Sequence, residues 1–167
     1  MKRIHLLRHA KSSWEDPSLP DHDRPLAPRG RKAAEALARH LRSEAVAPEI
    51  VLCSSARRAR QTLAPLMEVL GGAEVLVEDA LYAAEAEELL ERLRRVPDRV
   101  ESVMIVAHNP GLQDLAIELV SPGPDLGRVR EKFPTGGLAT IGFAGSWREL
   151  APGRGTLMSF VTPRDLS

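Results

Sequence analysis

An arginine and a histidine stand side by side near the start of the chain, directly after a short apolar stretch. Arg8 and His9 follow the run Ile4 to Leu7, which is mostly apolar and branched. In α/β proteins, ligands bind where buried strands end. A guanidinium binds anions and an imidazole is a nucleophile near neutral pH. The pair therefore indicates an anion site that contains a nucleophile.

A second group of polar residues follows another apolar run. The run Ile50 to Cys53 leads into Ser54, Ser55 and several arginines. A serine here is predicted to cap the next helix, with arginines in the first turn. One of them is expected to reach back toward the edge of the sheet that holds Arg8, although helical periodicity does not separate Arg57 from Arg58.

A third group completes the pattern. The run Val103 to Ala107 leads into His108, Asn109 and Pro110, where Asn109 is predicted to cap a helix that begins at Pro110. Helix N-termini attract phosphate through free backbone N–H groups and the helix dipole. Three such strand ends together predict a phosphate pocket formed by Arg8, His9, Arg58 and His108.

Composition limits what kind of protein can hold this pocket. The 167 residues carry 23 basic and 23 acidic side chains, so a nucleic-acid or membrane partner is not expected. The single cysteine, Cys53, excludes an internal disulfide and agrees with a reducing compartment. The apolar runs are too short for a signal peptide or a membrane span. A cytoplasmic protein with one domain over residues 1–167 is expected.

The apolar patterns predict where the elements lie. The three runs named above read as parallel, buried strands, and two more strands are predicted at 138–143 and 156–162, joined by a turn through 145–147. Helices are predicted over 33–46, 59–70, 85–95 and 112–120. The order predicts an α/β sandwich with a mostly parallel central sheet. The long segment 11–28 is expected to be a loop of the kind that often forms a lid.

These motifs together resemble the histidine phosphatase superfamily, which has the phosphoglycerate-mutase-like fold. The resemblance rests on Arg8-His9, on a Ser-x-x-x-Arg-Ala-x-Gln-Thr segment at 54–62, and on the strand-ending His108 before Asn-Pro-Gly. The short length, Arg24-Pro25-Leu26 and the segment 147–150 are most similar to the SixA-type phosphohistidine phosphatases. The resemblance implies a three-layer α/β sandwich along nearly the whole chain.

The resemblance also implies roles for the matching residues. His9 would accept the phosphoryl group as the nucleophile, and water would then release phosphate. Arg8, Arg58 and His108 would be catalytic and would surround the phosphoryl oxygens, with Asn109 as a further phosphate-binding residue. Phosphoryl transfer depends largely on positioning and on stabilisation of negative charge, which guanidinium groups supply. Neither a cofactor nor a metal is expected.

One departure from the family bears on the substrate. Members that hydrolyse phosphomonoesters typically have a glutamate that protonates the leaving alcohol, whereas the corresponding stretch here, 81–84, has no acid. A phosphohistidine imidazole that is protonated on its other nitrogen can leave as a neutral ring. The missing acid favours a phosphorylated histidine on a partner protein, although Glu15 or Asp16 could serve as the acid.

Two other interpretations remain open, and a third does not fit the sequence. A small phosphorylated molecule could be the substrate, or the pocket could bind phosphorylated ligands without turnover. A cysteine phosphatase would need an arginine six positions after Cys53, where Ala59 stands instead, so Cys53 is expected to be a small buried side chain. The sequence does not predict the oligomeric state.

Overall fold

One mixed sheet forms the centre of the protein. The computed structural model describes all residues, 1–167. The strands are β1 (Lys2–Arg8), β2 (Ile50–Ser54), β3 (Glu74–Glu78), β4 (Ser102–Ala107), β5 (Leu138–Phe143) and β6 (Thr156–Val161). They lie in the order β3-β2-β4-β1-β5-β6. β3, β2, β4 and β1 pair in parallel, and β5 is antiparallel to both of its neighbours. The predicted mostly parallel α/β sheet is confirmed.

Helices cover both faces of this sheet. They are α1 (Pro28–Ser43), α2 (Arg57–Leu63), α3 (Ala86–Arg94), α4 (Gly111–Leu119), α5 (Leu126–Glu131) and α6 (Pro163–Leu166). Side chains of β4 alternate between two apolar clusters, with Val103 and Ile105 in the cluster under α3 and α4. Met104 and Val106 pack in the cluster under α1 and α2. The sheet is therefore the middle of three layers, as expected.

Several predicted boundaries were wrong for local reasons. The helix predicted over 59–70 ends at Leu63 and continues only as a 3-10 turn, Ala64–Leu66, because Pro65 cannot supply the next helical N–H. The helix predicted to reach Val46 ends at Ser43, and Ala45 adopts a left-handed conformation with φ 52°. At its other end this helix begins at Pro28, the last residue of the predicted loop.

Other elements were absent from the prediction. Strand β3 lies at the sheet edge and is half-exposed, with a glutamate at each end, so it lacks the continuous apolar pattern of β1, β2 and β4. The short helices α5 and α6 were also missed. The predicted turn through 145–147 is a longer connection that contains the 3-10 helix Trp147–Glu149, whose Trp147 is fully buried. None of the helices combines the length and the apolar character that crossing a membrane requires.

Candidate active site

The carboxyl ends of β1, β2 and β4 meet at one edge of the sheet. A cavity of about 300 Å³ opens there. Its lining includes Arg8, His9, Arg58, His108 and Asn109, so the structure brings together all five residues that the sequence placed in the pocket. The other lining residues are Lys11, Ser12, Trp14, Arg24 and Thr135.

His9 is buried and held in one tautomer. Its Nδ1–H donates to the carbonyl of Ala10 at 2.7 Å, which leaves the Nε2 lone pair free. Burial lowers the pKa of His9 to about 4, and the positive charges of Arg58 and Arg8 act in the same direction, against the Ala10 hydrogen bond. The imidazole is therefore neutral at pH 7 and can act as a nucleophile without first losing a proton.

The backbone around His9 is fixed from two sides. The Ala10 N–H donates to Oγ1 of Thr62 at 2.9 Å, and that hydroxyl donates to the carbonyl of Arg58. On the other side, the Gly136 N–H donates to the carbonyls of Arg8 and His9, at 3.0 and 2.9 Å. Gly136 has φ +76°, a conformation that favours glycine. These contacts tie His9 to α2 and to the turn before β5.

His108 lies beside His9, with a distance of 5.1 Å between the ring centroids. Its Nε2 is 2.8 Å from Oγ of Ser54, which in turn accepts the Ala56 N–H. Burial lowers the pKa of His108 to about 3, and the neighbouring His9 contributes. A neutral His108 whose Nε2 accepts a hydrogen bond from the Ser54 hydroxyl carries its proton on Nδ1. That Nδ1–H can donate a hydrogen bond to a ligand. Ser54 therefore positions His108. The residue that precedes α2 is Ala56 and no side chain caps that helix, so the prediction of a serine cap was wrong.

Arg8 and Asn109 share one backbone acceptor. Nη1 of Arg8 and Nδ2 of Asn109 both donate to the carbonyl of Phe133, each at 2.9 Å. The N-cap of α4 is Pro110, so the prediction that Asn109 caps this helix was wrong. Nε of Arg8 is buried without a hydrogen-bond partner. The Arg8 guanidinium thus keeps an unpaired donor, whereas one N–H of the Asn109 amide is used to hold the Phe133 carbonyl beside Arg8.

Arg58 is held by an aspartate from the long loop. Its Nη1 donates to the backbone carbonyl of Asp21 at 2.8 Å and its Nη2 donates to Oδ2 of the same residue at 2.9 Å. Nε of Arg58 is buried without a partner. The Tyr82 hydroxyl also donates to Asp21. Hydrogen bonds from Tyr82, Arg58 and Arg24 keep the pKa of Asp21 far below its usual range, despite some burial.

The loop 11–28 is closely tied to the site. Nη1 of Arg24 donates to Oγ of Ser12 at 2.7 Å, and its Nε donates to Asp21. Trp14, which is 75% exposed, stacks on the Arg24 guanidinium at 3.5 Å. Residues Asp21, Arg24 and Tyr82 were not predicted as site residues. Of these three residues, only Arg24 belongs to a motif that the family resemblance used, Arg-Pro-Leu at 24–26. In the structure Arg24 is buried, and Leu26 anchors the loop in the core.

Two chemical alternatives can be judged from this geometry. Cys53 is fully buried, and burial raises the pKa of its thiol to about 12, so it is not a nucleophile. No carboxylate lines the cavity, and neither Glu15 nor Asp16 is among the lining residues. Asp21 is ionised at neutral pH and cannot donate a proton. The cavity thus combines three guanidinium groups and two neutral imidazoles without an evident acid for an alcohol leaving group. In the whole chain, no group of three or more His, Cys, Asp and Glu side chains is placed to hold a metal ion.

Comparison with known proteins identifies the family. The profile of the histidine phosphatase superfamily (branch 1) matches residues 4–91. An uncharacterized protein of Mycobacterium tuberculosis is 42% identical over 162 residues, which cover 95% of this chain and 100% of the relative. The chain belongs to the histidine phosphatase superfamily. The matched region contains Arg8, His9 and Arg58.

Solved structures of this superfamily have the same fold. The putative phosphohistidine phosphatase SixA of Nakamurella multipartitia superimposes with a TM-score of 0.84 at 32% identity, covering 97% of this chain and 96% of the other. The putative SixA of Agrobacterium tumefaciens gives a TM-score of 0.83 at 32% identity, with 97% and 98% covered. Both similarities extend over nearly the whole chain, as the sequence motifs predicted.

Proposed function

We propose that this histidine phosphatase hydrolyses phosphohistidine on a protein, with His9 as the nucleophile. The observation that carries the proposal is the state of His9. It is neutral, its Nδ1–H is donated to Ala10, and its Nε2 is free in a cavity that contains three guanidinium groups. This is the arrangement that in-line attack on a phosphoryl group requires.

The proposed reaction has two steps. The Nε2 lone pair of His9 attacks phosphorus while the bond from phosphorus to the leaving nitrogen breaks. The new phosphoimidazole keeps its Nδ1–H, which the Ala10 carbonyl accepts. Water then attacks phosphorus, the bond to Nε2 breaks, and dihydrogen phosphate leaves with both protons of the water, so that His9 is again neutral. Arg8 and Arg58 would bind the equatorial oxygens through their unpartnered Nε–H groups, with His108 as a further donor.

The lining of the cavity favours a phosphorus–nitrogen bond over a phosphate ester. An alkoxide is a poor leaving group without a proton donor, and no carboxylic acid lines this cavity. An imidazole that is protonated on its other nitrogen leaves as a neutral ring. The two putative SixA proteins of similar structure support the same substrate class.

A comparison of substrates tests this proposal. We expect kcat/KM to be higher for a phosphohistidine protein and for phosphoramidate than for a panel of sugar phosphates. His9→Ala should abolish turnover of every substrate, whereas the control His40→Ala, on α1 and outside the cavity, should retain it. Faster hydrolysis of the esters would contradict the substrate assignment.

A phosphatase for small phosphate esters is the second candidate. The cavity of about 300 Å³ lies at the lower end of the range that small-molecule sites occupy. In the substrate comparison, this candidate predicts a preference for one sugar phosphate. A protein that binds phosphate but turns over none of the substrates would instead be a binding module.

A further inference from the structure

Two clefts with basic walls lie next to the catalytic cavity. Their volumes are about 500 and 630 Å³. Both are lined by Lys11, Arg29 and Arg164, and both include Thr135. Since Lys11 and Thr135 also line the catalytic cavity, the clefts adjoin the cavity. We call the two clefts together the basic groove.

The basic groove extends to both sides of this shared centre. Lys32 and Arg39 of α1 line one side, and Arg128 and Lys132 line the other. Glu131 is the only acidic side chain in the lining. In a chain with no net formal charge, this is a strong local concentration of positive charge.

Most of these cations are not neutralised by the protein itself. Arg128 forms a salt bridge to Asp165 at 3.1 Å, and the other cations of the groove form none. Clustered like charges repel one another and attract an anionic partner. The groove thus carries positive charge that a ligand with several negative charges could neutralise.

The backbone fixes the groove relative to the nucleophile. The Ala27 N–H donates to the carbonyl of Lys11 at 2.9 Å. A Cβ on Gly30 would lie 2.1 Å from the same carbonyl, so the first turn of α1 rests directly on the Lys11 backbone. Lys11 is two residues from His9, and Arg29 precedes Gly30. A chain that lies in the groove therefore passes beside the catalytic cavity.

We propose that the basic groove docks an acidic protein segment that flanks the phosphorylated histidine of the substrate. The proposal rests on the proposed function for the identity of that residue. A protein segment fits better than single-stranded nucleic acid, because nucleic-acid grooves offer exposed aromatic side chains for base stacking. The aromatic side chain of this groove, Phe160, is 9% exposed. The groove itself thus supplies charge without a stacking surface, and the exposed Trp14 of the adjoining cavity is already stacked on the Arg24 guanidinium.

The test compares two phosphohistidine peptides, one flanked by Asp and Glu and one flanked by Gly and Ser, with phosphoramidate as a small substrate. For the wild-type protein we expect kcat/KM to be about tenfold higher for the acidic peptide at low salt. The preference should shrink as salt is added, because salt screens exposed charges.

Charge-reversal variants test whether the preference for the acidic peptide arises in the basic groove. Lys32→Glu with Arg39→Glu should remove the preference for the acidic peptide, while hydrolysis of phosphoramidate reports that the catalytic site is intact. The matched control, Arg99→Glu with Arg148→Glu, makes the same change of charge at exposed positions that do not line the groove and should keep the preference. An equal preference in both double variants would overturn the proposal.

A binding measurement separates this proposal from the proposed function. A fluorescent acidic peptide without phosphate should bind the wild-type protein and bind the Lys32→Glu, Arg39→Glu variant at least several-fold more weakly. If the peptide binds in this way but no phosphorylated substrate is turned over, the groove stands and the phosphatase proposal fails. If phosphohistidine is hydrolysed without any effect of the flanking charge, the groove proposal fails alone. Tighter binding of an RNA oligonucleotide than of the peptide would also overturn it.

Discussion

At the scale of single residues, the hydrogen bonds decide which atoms of the site are free to react. The Nδ1–H of His9 donates to the Ala10 carbonyl, and the Asn109 amide donates to the Phe133 carbonyl. Nε2 of His108 is hydrogen-bonded to the Ser54 hydroxyl. The groups without a hydrogen-bond partner include Nε2 of His9, the Nε groups of Arg8 and Arg58, and Oδ1 of Asn109. The site thus has an unpaired imidazole nitrogen that can attack phosphorus and N–H donors that can bind an anion. Transfer of a phosphoryl group needs both.

Thr62 is predicted to position His9 without touching the substrate. It links the backbone N–H of Ala10 to α2, and Ala10 in turn orients the His9 ring. Replacing Thr62 by valine should lower kcat by about tenfold or more with little change in KM, because the nucleophile is misplaced. Thr62→Ser keeps the hydroxyl and should restore the rate. Steady-state kinetics of both variants checks this, and an unchanged kcat in Thr62→Val would argue against a positioning role.

Asp21 is predicted to control the ionisation of Tyr82. The hydrogen bond to Asp21 and its negative charge raise the pKa of the Tyr82 hydroxyl, with burial contributing. In Asp21→Asn the negative charge is gone, so the pKa should fall toward the ordinary value for tyrosine. Tyr82 is the single tyrosine of the chain, so the absorbance of tyrosinate reports it directly, with Tyr82→Phe as the blank. An unchanged titration would show that the contact does not persist in solution.

At the scale of elements, the sequence predicted the strands and helices that have a regular apolar pattern. It did not predict contacts between residues that are far apart along the chain. Continuous branched apolar runs identified β1, β2 and β4, and the residues after them are the site. Strand β3 was missed because its apolar run, 75–77, is only three residues long and has a glutamate at each end. The contact between Asp21 and Tyr82 could not be read from the sequence, since the two residues are 61 positions apart and no local pattern links them.

The turn before β5 holds the end of β1, and one glycine in it is predicted to be irreplaceable. At Gly136, φ is +76° and a Cβ would lie 2.8 Å from Cγ of Pro163. Gly136→Ala should lower the free energy of unfolding by about 1–3 kcal/mol. Gly127→Ala in α5, where a Cβ meets nothing within 4 Å, should be neutral or stabilising by up to about 1 kcal/mol. Urea denaturation measures both, and equal stabilities would contradict the strain argument.

At the scale of the whole molecule, charge is balanced in total but separated in space. The acidic and basic side chains are equal in number, yet all the charged side chains that line the catalytic cavity and the basic groove, except Glu131, are basic. The composition has no excess of one charge, so it does not indicate a surface of uniform charge for a partner. A local anion site was nevertheless predictable from motifs at three strand ends.

Buried histidines should make the folded protein sensitive to acid. Burial lowers the pKa of His5 and His9 to about 4 and that of His108 to about 3, from 6.5. Between about pH 6.5 and 4 the unfolded chain binds these protons and the folded protein does not. The free energy of unfolding should therefore fall as the pH falls through this window, by at most about 3 kcal/mol for each histidine.

Denaturation at pH 7.5 and pH 5 measures this loss. His5→Asn should reduce it, because His5 lies in the core away from the cavity and contributes one of the protons. The control His40→Ala should leave it unchanged. A stability that stays constant between pH 7.5 and 5 would contradict the neutral state of the three histidines.

In the mechanism that we propose, every phosphoryl group passes through His9. The most direct measurement is rapid quenching of the enzyme with labelled phosphoramidate, followed by mapping of the label by mass spectrometry. We expect a phosphoryl group on His9 that is labile in acid and stable in alkali, and no label in His9→Ala, while Cys53→Ser is labelled like the wild-type protein. Label on Cys53 or on another residue, or full activity of His9→Ala, would contradict it.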